Sequence, residues 1–225
     1  MTPAERRVRW RPSFRIIPSR FPPIGLFETV ADPDDLEAVY ELEAMTNPRV
    51  RDEVGELSLV PSSDRISGAG SSVVMAAFTH LNPNGSRFSD GSYGVYYAAK
   101  DLETAVAETR HHREAFMRAT AEAPIELEMR VYLADLDGTL HDIRRQGGRL
   151  SAVYDTADYS AGRALGRELR ERGSDGIVYD SVRRRGGTCA AVFRPRLLSN
   201  VRQERHLAYV WDGERISAIY ERREM

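Results

Sequence analysis

Hydrophobic and polar positions along the chain fall into short blocks with two different periods. Residues 8–17 (VRWRPSFRII) read as an opening strand, stopped by Pro18 and by Pro22 and Pro23. From Asp32 the spacing turns helical. Asp32 is placed to cap, Pro33 suits the first position, and Leu36, Val39, Tyr40 and Leu42 repeat along one face as far as Pro48. Residues 49–67 show neither period and read as loop, whereas 71–81 (SSVVMAAFTHL) read as a short buried helix capped by Ser71 or Ser72. Residues 82–94 are rich in Asn, Ser, Asp and Gly, which marks a loop.

A short strand follows over 95–99, and Asp101 then caps a helix running to about Arg118 with Leu102, Ala105, Val106 and Phe116 as apolar positions. Residues 125–133 (IELEMRVYL) alternate as a half-buried strand. The pattern then predicts a helix over 156–172, a strand over 176–179, a loop over 180–187, a strand over 188–193, and a hairpin over 206–222 turning at Asp212-Gly213. Strands and helices mix without regular βαβ alternation, so the fold class is α+β.

Composition narrows the picture only a little. A chain of 225 residues with 41% hydrophobic and 29% charged positions suits one domain over 1–225, with 30–81 as a helical N-terminal part and 199–225 as a C-terminal hairpin tail. The formal net charge of −2 supplies no overall basic field, so neither direct nucleic-acid binding nor a membrane partner is expected. No apolar run reaches the roughly 18 residues of a membrane span. The opening MTPAERRVRW lacks the apolar core of a signal peptide, so a cytoplasmic location is expected. Cys189 is the sole cysteine, which leaves no disulfide framework and no zinc cluster, and no metal is expected.

The densest chemistry lies between Gly85 and His112. Arg87 sits in a glycine-flanked loop, Tyr97 follows near a strand end, and Glu108 follows on a helix, an arrangement suited to convergence on one cleft. Each residue has a plainer alternative. The arginine can be solvated, Tyr97 can be core with Tyr96 turned inward or the reverse, and Glu108 can be a surface carboxylate.

The stretch GSRFSDGSYGVYYAAKDLETAVAETRHH resembles the core of the RES domain, named for its Arg, Glu and Ser. The third signature residue falls at Ser181 in GIVYDSVRRRGG, and the looser resemblance extends from about Phe14 to Leu198. Position 88, aromatic in the family, is Phe88, which leaves no hydroxyl there. The resemblance implies an ADP-ribosyltransferase-like fold, with a mixed or antiparallel split β core and surrounding helices. It also implies that NAD⁺ is the substrate and that the nicotinamide–ribose bond is cleaved by water or by phosphate. The same cleft in a transferase would pass ADP-ribose to a protein acceptor. The implied partner is a cognate antitoxin, a helix-turn-helix protein of the Xre type that blocks the cleft.

Residue chemistry agrees with that assignment. A guanidinium fork suits pyrophosphate oxygens, which points to Arg87. A tyrosine ring offers a face to the flat nicotinamide cation, which points to Tyr97. A carboxylate stabilises positive charge developing on the ribose, which points to Glu108. Phe88, Ser181 and His112 complete the expected NAD⁺ contacts: Ser181 on ribose or phosphate, and His112, one turn after Glu108, on Glu108 or a phosphate.

Two other readings stand beside this one. Residues 131–140 (VYLADLDGTL) look like the first motif of haloacid-dehalogenase-type phosphatases, with Asp135 as nucleophile. That chemistry calls for a downstream lysine, and the sole lysine, Lys100, precedes Asp135; a strand end followed by an Asp-Gly turn is preferred. A non-catalytic binding module is the other reading, and an intact set of Arg87, Tyr97 and Glu108 weighs against it.

Overall fold

The computed structural model describes residues 2–19 and 55–223, so the helix expected from Asp32 lies outside the described residues. Strand β1 (Glu5–Pro18) is followed by helix α1 (Ser71–Thr79), β2 (Tyr96–Ala99) and helix α2 (Leu102–Ala119). Then come β3 (Ile125–Asp142), α3 (Ser160–Glu171), β4 (Gly176–Asp180), β5 (Thr188–Val192), β6 (Leu198–Trp211) and β7 (Ile216–Arg222). The strands form one mixed sheet in the order β1-β2-β5-β4-β3-β6-β7, and β1 also pairs with β3. The α+β class read from the sequence is the class observed.

β3 organises the sheet. Along one edge it runs antiparallel to β1 from Glu5↔His141 to Pro18↔Met129, with a bulge between Trp10 and Ser13. Pro12 lies in that bulge, where a residue without an N–H interrupts no ladder bond. Other strands share the remaining pairing positions of β3: β6 pairs with Ile125–Leu136, and β4 joins in parallel at His141 and Asp142. β1 meets β2 at the single registered pair Phe14↔Ala99. Both strands at this thin junction line the cleft described below.

Period-two alternation sorts the strand side chains into two cores. Tyr96, Ala98, Tyr132, Ala134, Val178 and Val192 pack on one side with α1 residues Val74, Met75 and Phe78. Ala99, Val131, Leu133, Ile177, Tyr179 and Ala191 pack on the other with Ala105 and Met117 of α2 and Leu169 of α3. Each fully buried Val, Leu, Ile, Phe or Met stabilises by about 1.5–3 kcal/mol, so this sorting fixes which way every strand residue faces. It settles the ambiguity at positions 96 and 97. Tyr96 is fully buried on the α1 side, and Tyr97 faces the α2 side with Glu108.

Several elements differ from the sequence pattern. The strand expected to end at 133 continues to Asp142. Asp137-Gly138 is therefore mid-strand and makes no turn: Gly138 pairs with Val8, and Asp137 is held by Arg7 at 2.5 Å and Arg9 at 3.2 Å. Backbone partners and cations from β1 override the local turn preference. The helix expected from 156 begins at Ser160. Asp155 Oδ1 instead accepts the backbone N–H groups of Ala157 and Asp158 and holds that stretch in a turn. α1 is capped by Gly70 in the left-handed region rather than by Ser71 or Ser72, both of which are buried. The C-terminal hairpin is present, but β6 begins at Leu198 and pairs with β3, while Trp211 and Ile216 are core residues. Residues 198–211 and 216–222 are thus strands of the sheet.

Candidate active site

A cleft among the described residues has a volume of about 700 Å³. Its walls come from β1, α1, the loop before β2, β2 itself and one face of α2, with Tyr159, Tyr179 and Cys189 completing them. Arg87, Tyr97, Glu108 and His112 all line it. Four residues spread over 26 positions of sequence are therefore brought to one cleft.

Glu108 is carried on α2, whose start is secured by the expected cap: Asp101 accepts the backbone N–H of Thr104 at 2.8 Å. Glu108 Oε1 accepts the hydroxyl of Ser181 at 2.6 Å, and the thiol of Cys189 lies 3.8 Å away. Ser181 does not line the cleft. Its oxygen also accepts the backbone N–H groups of Arg183 and Arg184, so its hydrogen-bonding capacity is directed at Glu108 and its own loop rather than at a ligand. The expected contact of Ser181 with ribose or phosphate gains no support from this arrangement, in which its hydroxyl is committed to Glu108.

Tyr97 presents its ring to the cleft and ties its hydroxyl to the arginine loop. The hydroxyl accepts the backbone N–H of Phe88 at 2.9 Å and shares a hydrogen bond with Ser86 Oγ at 2.8 Å. Burial pushes this phenol up to about 12, so it stays neutral. Phe88 is 0% exposed and packs edge-on against Tyr179, with ring centroids 5.0 Å apart. Its ring belongs to the core and does not line the cleft, in contrast to the expected ligand contact; the loop turns the apolar side chain inward onto Tyr179.

Arg87 is 8% exposed. Its Nη1 donates to the carbonyl oxygens of Val153 at 2.9 Å and Asp155 at 2.8 Å, and its guanidinium stacks 4.5 Å from the centre of the Tyr159 ring. The loop that carries it is clamped by α3, where Gly162 and Gly166 lie so close to the carbonyl oxygens of Arg87 and Phe88 that a Cβ would collide with them. His112 opens onto the cleft. Desolvation by the cleft walls, the adjoining His111 and the charges of Arg183, Arg113 and Arg87 lower its pKa to about 4, so it is neutral at pH 7.

The sequence reading missed Arg15. It lies on β1 among Phe14, Ile16 and Ile17, and lines the cleft. Nη1 donates to the Tyr97 carbonyl at 3.0 Å, the guanidinium sits 4.5 Å from the centre of the Tyr96 ring, and the buried Nε has no partner. Burial lowers its pKa. The available signal was a lone cation inside an apolar run, which period-two counting passes over. Tyr159, between a turn and a helix, carried no periodic signal at all.

Among the described side chains that line the cleft, Glu108 is the single acid, against Arg15, Arg87 and Arg113. The phosphatase alternative gains no support from this geometry. Asp135 accepts from Asn200 at 2.9 Å, Asp137 is ion-paired to β1, and neither lines the cleft.

Fold and site together define an α+β protein with a cleft that sets one held carboxylate among three arginines. The RES domain family model matches residues 64–212, and the chain belongs to that family. The chain is 37% identical over 209 residues to the uncharacterized protein y4oC of Sinorhizobium fredii (strain NBRC 101917 / NGR234), covering 92% of this chain and 86% of that one. It is also similar to a chain in the crystal structure of the M. tuberculosis MbcT–MbcA toxin–antitoxin complex, with a TM-score of 0.43 and 18% identity over 58% of this chain and 74% of that one.

Proposed function

We propose that this protein is an NAD⁺-consuming toxin that cleaves the nicotinamide–ribose bond, as a glycohydrolase or phosphorylase, and is neutralised by an Xre-type antitoxin. The observation that carries the reading is the single carboxylate, Glu108, fixed by Ser181 in a cleft whose other charged lining residues are Arg15, Arg87 and Arg113. Cleaving an ordinary glycosidic bond calls for two carboxyl groups, one of which protonates the leaving oxygen. Nicotinamide is a cation in NAD⁺ and departs neutral, so it needs no acid. One carboxylate that stabilises the positive charge growing on the ribose is then sufficient.

The remaining residues fit a dinucleotide. A cleft of about 700 Å³ lies within the range of roughly 300–1,000 Å³ usual for small-molecule sites. Arg15, with its Nε unpartnered and no ion pair among the described residues, is the guanidinium most available to a pyrophosphate. Arg87 holds its loop with Nη1 and offers its remaining N–H groups to the same anion. Tyr97 supplies a neutral ring, and neutral His112 stands one helical turn from Glu108, where an attacking water or phosphate would lose its proton.

The test is NAD⁺ consumption by purified protein, with and without phosphate, beside Glu108→Gln. Nicotinamide release by the parent and its loss in the variant are expected, and the sugar product identifies the acceptor. Intact NAD⁺ under both conditions, followed by labelling of lysate proteins from tagged NAD⁺, would replace this reading with transfer to a protein. No labelling either would abandon NAD⁺ chemistry.

A further inference from the structure

The segment 153–159 between β3 and α3 is exposed along Asp155–Asp158, yet it forms part of the cleft through Tyr159. Two arginines hold it. Arg87 donates to the carbonyls of Val153 and Asp155 and stacks on Tyr159. Arg183 comes from the β4–β5 loop, and its Nη2 donates to the Thr156 carbonyl at 2.6 Å and to the Tyr159 hydroxyl at 3.3 Å. Arg183 makes no ion pair among the described residues, and its Nε is buried without a partner. Its backbone N–H donates to Ser181 Oγ, the oxygen that holds Glu108.

We infer that Tyr159 is a substrate-contacting residue on which a planar base of the dinucleotide stacks, and that Arg183 is the residue that positions it. The inference rests on the NAD⁺ reading and adds a specificity residue to it. A partly exposed tyrosine beside two guanidinium groups loses little rotamer freedom when a ligand arrives, because Arg87 fixes the ring plane and Arg183 fixes the hydroxyl. A flat ring is also the one ligand feature that benefits from such a wall, since every base has a π-face. Arg183, which holds this wall, and Ser181, which holds Glu108, share one loop, so base recognition and orientation of the carboxylate are mechanically joined.

The experiment measures calorimetric affinity for NAD⁺, nicotinamide mononucleotide and AMP in a Glu108→Gln background, which keeps the ligand intact. Tyr159→Leu, which preserves apolar bulk and removes the ring, is expected to weaken NAD⁺ binding about tenfold or more. Tyr159→Phe and Tyr159→Trp should stay within about threefold of the parent. One mononucleotide should lose affinity in Tyr159→Leu while the other keeps it, which identifies the stacked base. Arg183→Gln should weaken binding in the presence of Tyr159 and have little further effect in Tyr159→Leu. Unchanged NAD⁺ affinity in Tyr159→Leu, or an equal loss in the Leu, Phe and Trp variants, would overturn the stacking role while leaving the NAD⁺ reading intact. A parent protein that binds none of the three ligands would overturn the NAD⁺ reading, and this inference with it.

Discussion

Ser181 donates its hydroxyl hydrogen to Glu108 Oε1 at 2.6 Å, joining the β4–β5 loop to the middle of α2 across 73 positions of sequence. The bond fixes one carboxylate oxygen, and in the proposed reaction the other meets the substrate. A hydrogen bond to a charged group contributes about 1.5–3 kcal/mol. Ser181→Ala should therefore lower kcat for nicotinamide release by roughly 10- to 100-fold with little change in KM. A KM effect of that size with kcat intact would instead place Ser181 on the bound substrate.

Arg15 is a partly buried cation without a carboxylate partner among the described residues, a costly arrangement unless an anion completes it. Arg15→Met should raise KM for NAD⁺ about tenfold or more while thermal stability stays level or rises. A sharp fall in Tm with KM unchanged would make Arg15 a structural residue.

Gly166 on α3 faces the Phe88 carbonyl at a distance no Cβ tolerates. Gly166→Ala should destabilise the protein by about 1–3 kcal/mol by pushing α3 off the arginine loop. Activity should fall further than stability does, since the displaced backbone carries Arg87. Denaturant unfolding and NAD⁺ turnover, measured on the same preparation, separate the two effects.

His112 is more acidic when folded, at about 4, than an ordinary imidazole near 6.5. Between those values the unfolded chain binds more protons, so stability rises with pH across this window and is lost as pH falls through it. His111 is shifted in the same direction. A His112→Asn variant should show a flatter dependence of Tm on pH between about 4 and 6.5 than the parent. Parallel curves would show that His112 titrates normally.

The family match begins at residue 64, whereas β1 ends at Pro18. β1 supplies Arg15 to the cleft, buries Val8 and Trp10, and covers one edge of β3 from Met129 to His141. A fragment spanning 64–225 should accordingly fail to fold cooperatively by circular dichroism. A well-folded fragment with parental NAD⁺ turnover would contradict this account of β1.

Much of the molecule follows from local pattern. The α2 cap at Asp101, a strand over 125–133 and the turn at Asp212-Gly213 were readable, because each depends on neighbours a few residues away. Tertiary partners decided the rest. Asp137-Gly138 became mid-strand because β1 offered a complete ladder and two arginines. Phe88 went to the core because its loop is pressed against Gly166 of α3 and its ring packs on Tyr179, contacts that lie far away in sequence. Arg15 joined the site because β1 returns beside β2 at one registered pair, a contact spanning more than 80 positions of sequence. Residue type and short-range period thus set which chemistry this chain carries. Long-range strand pairing, whose partners no local window contains, decided where that chemistry is assembled.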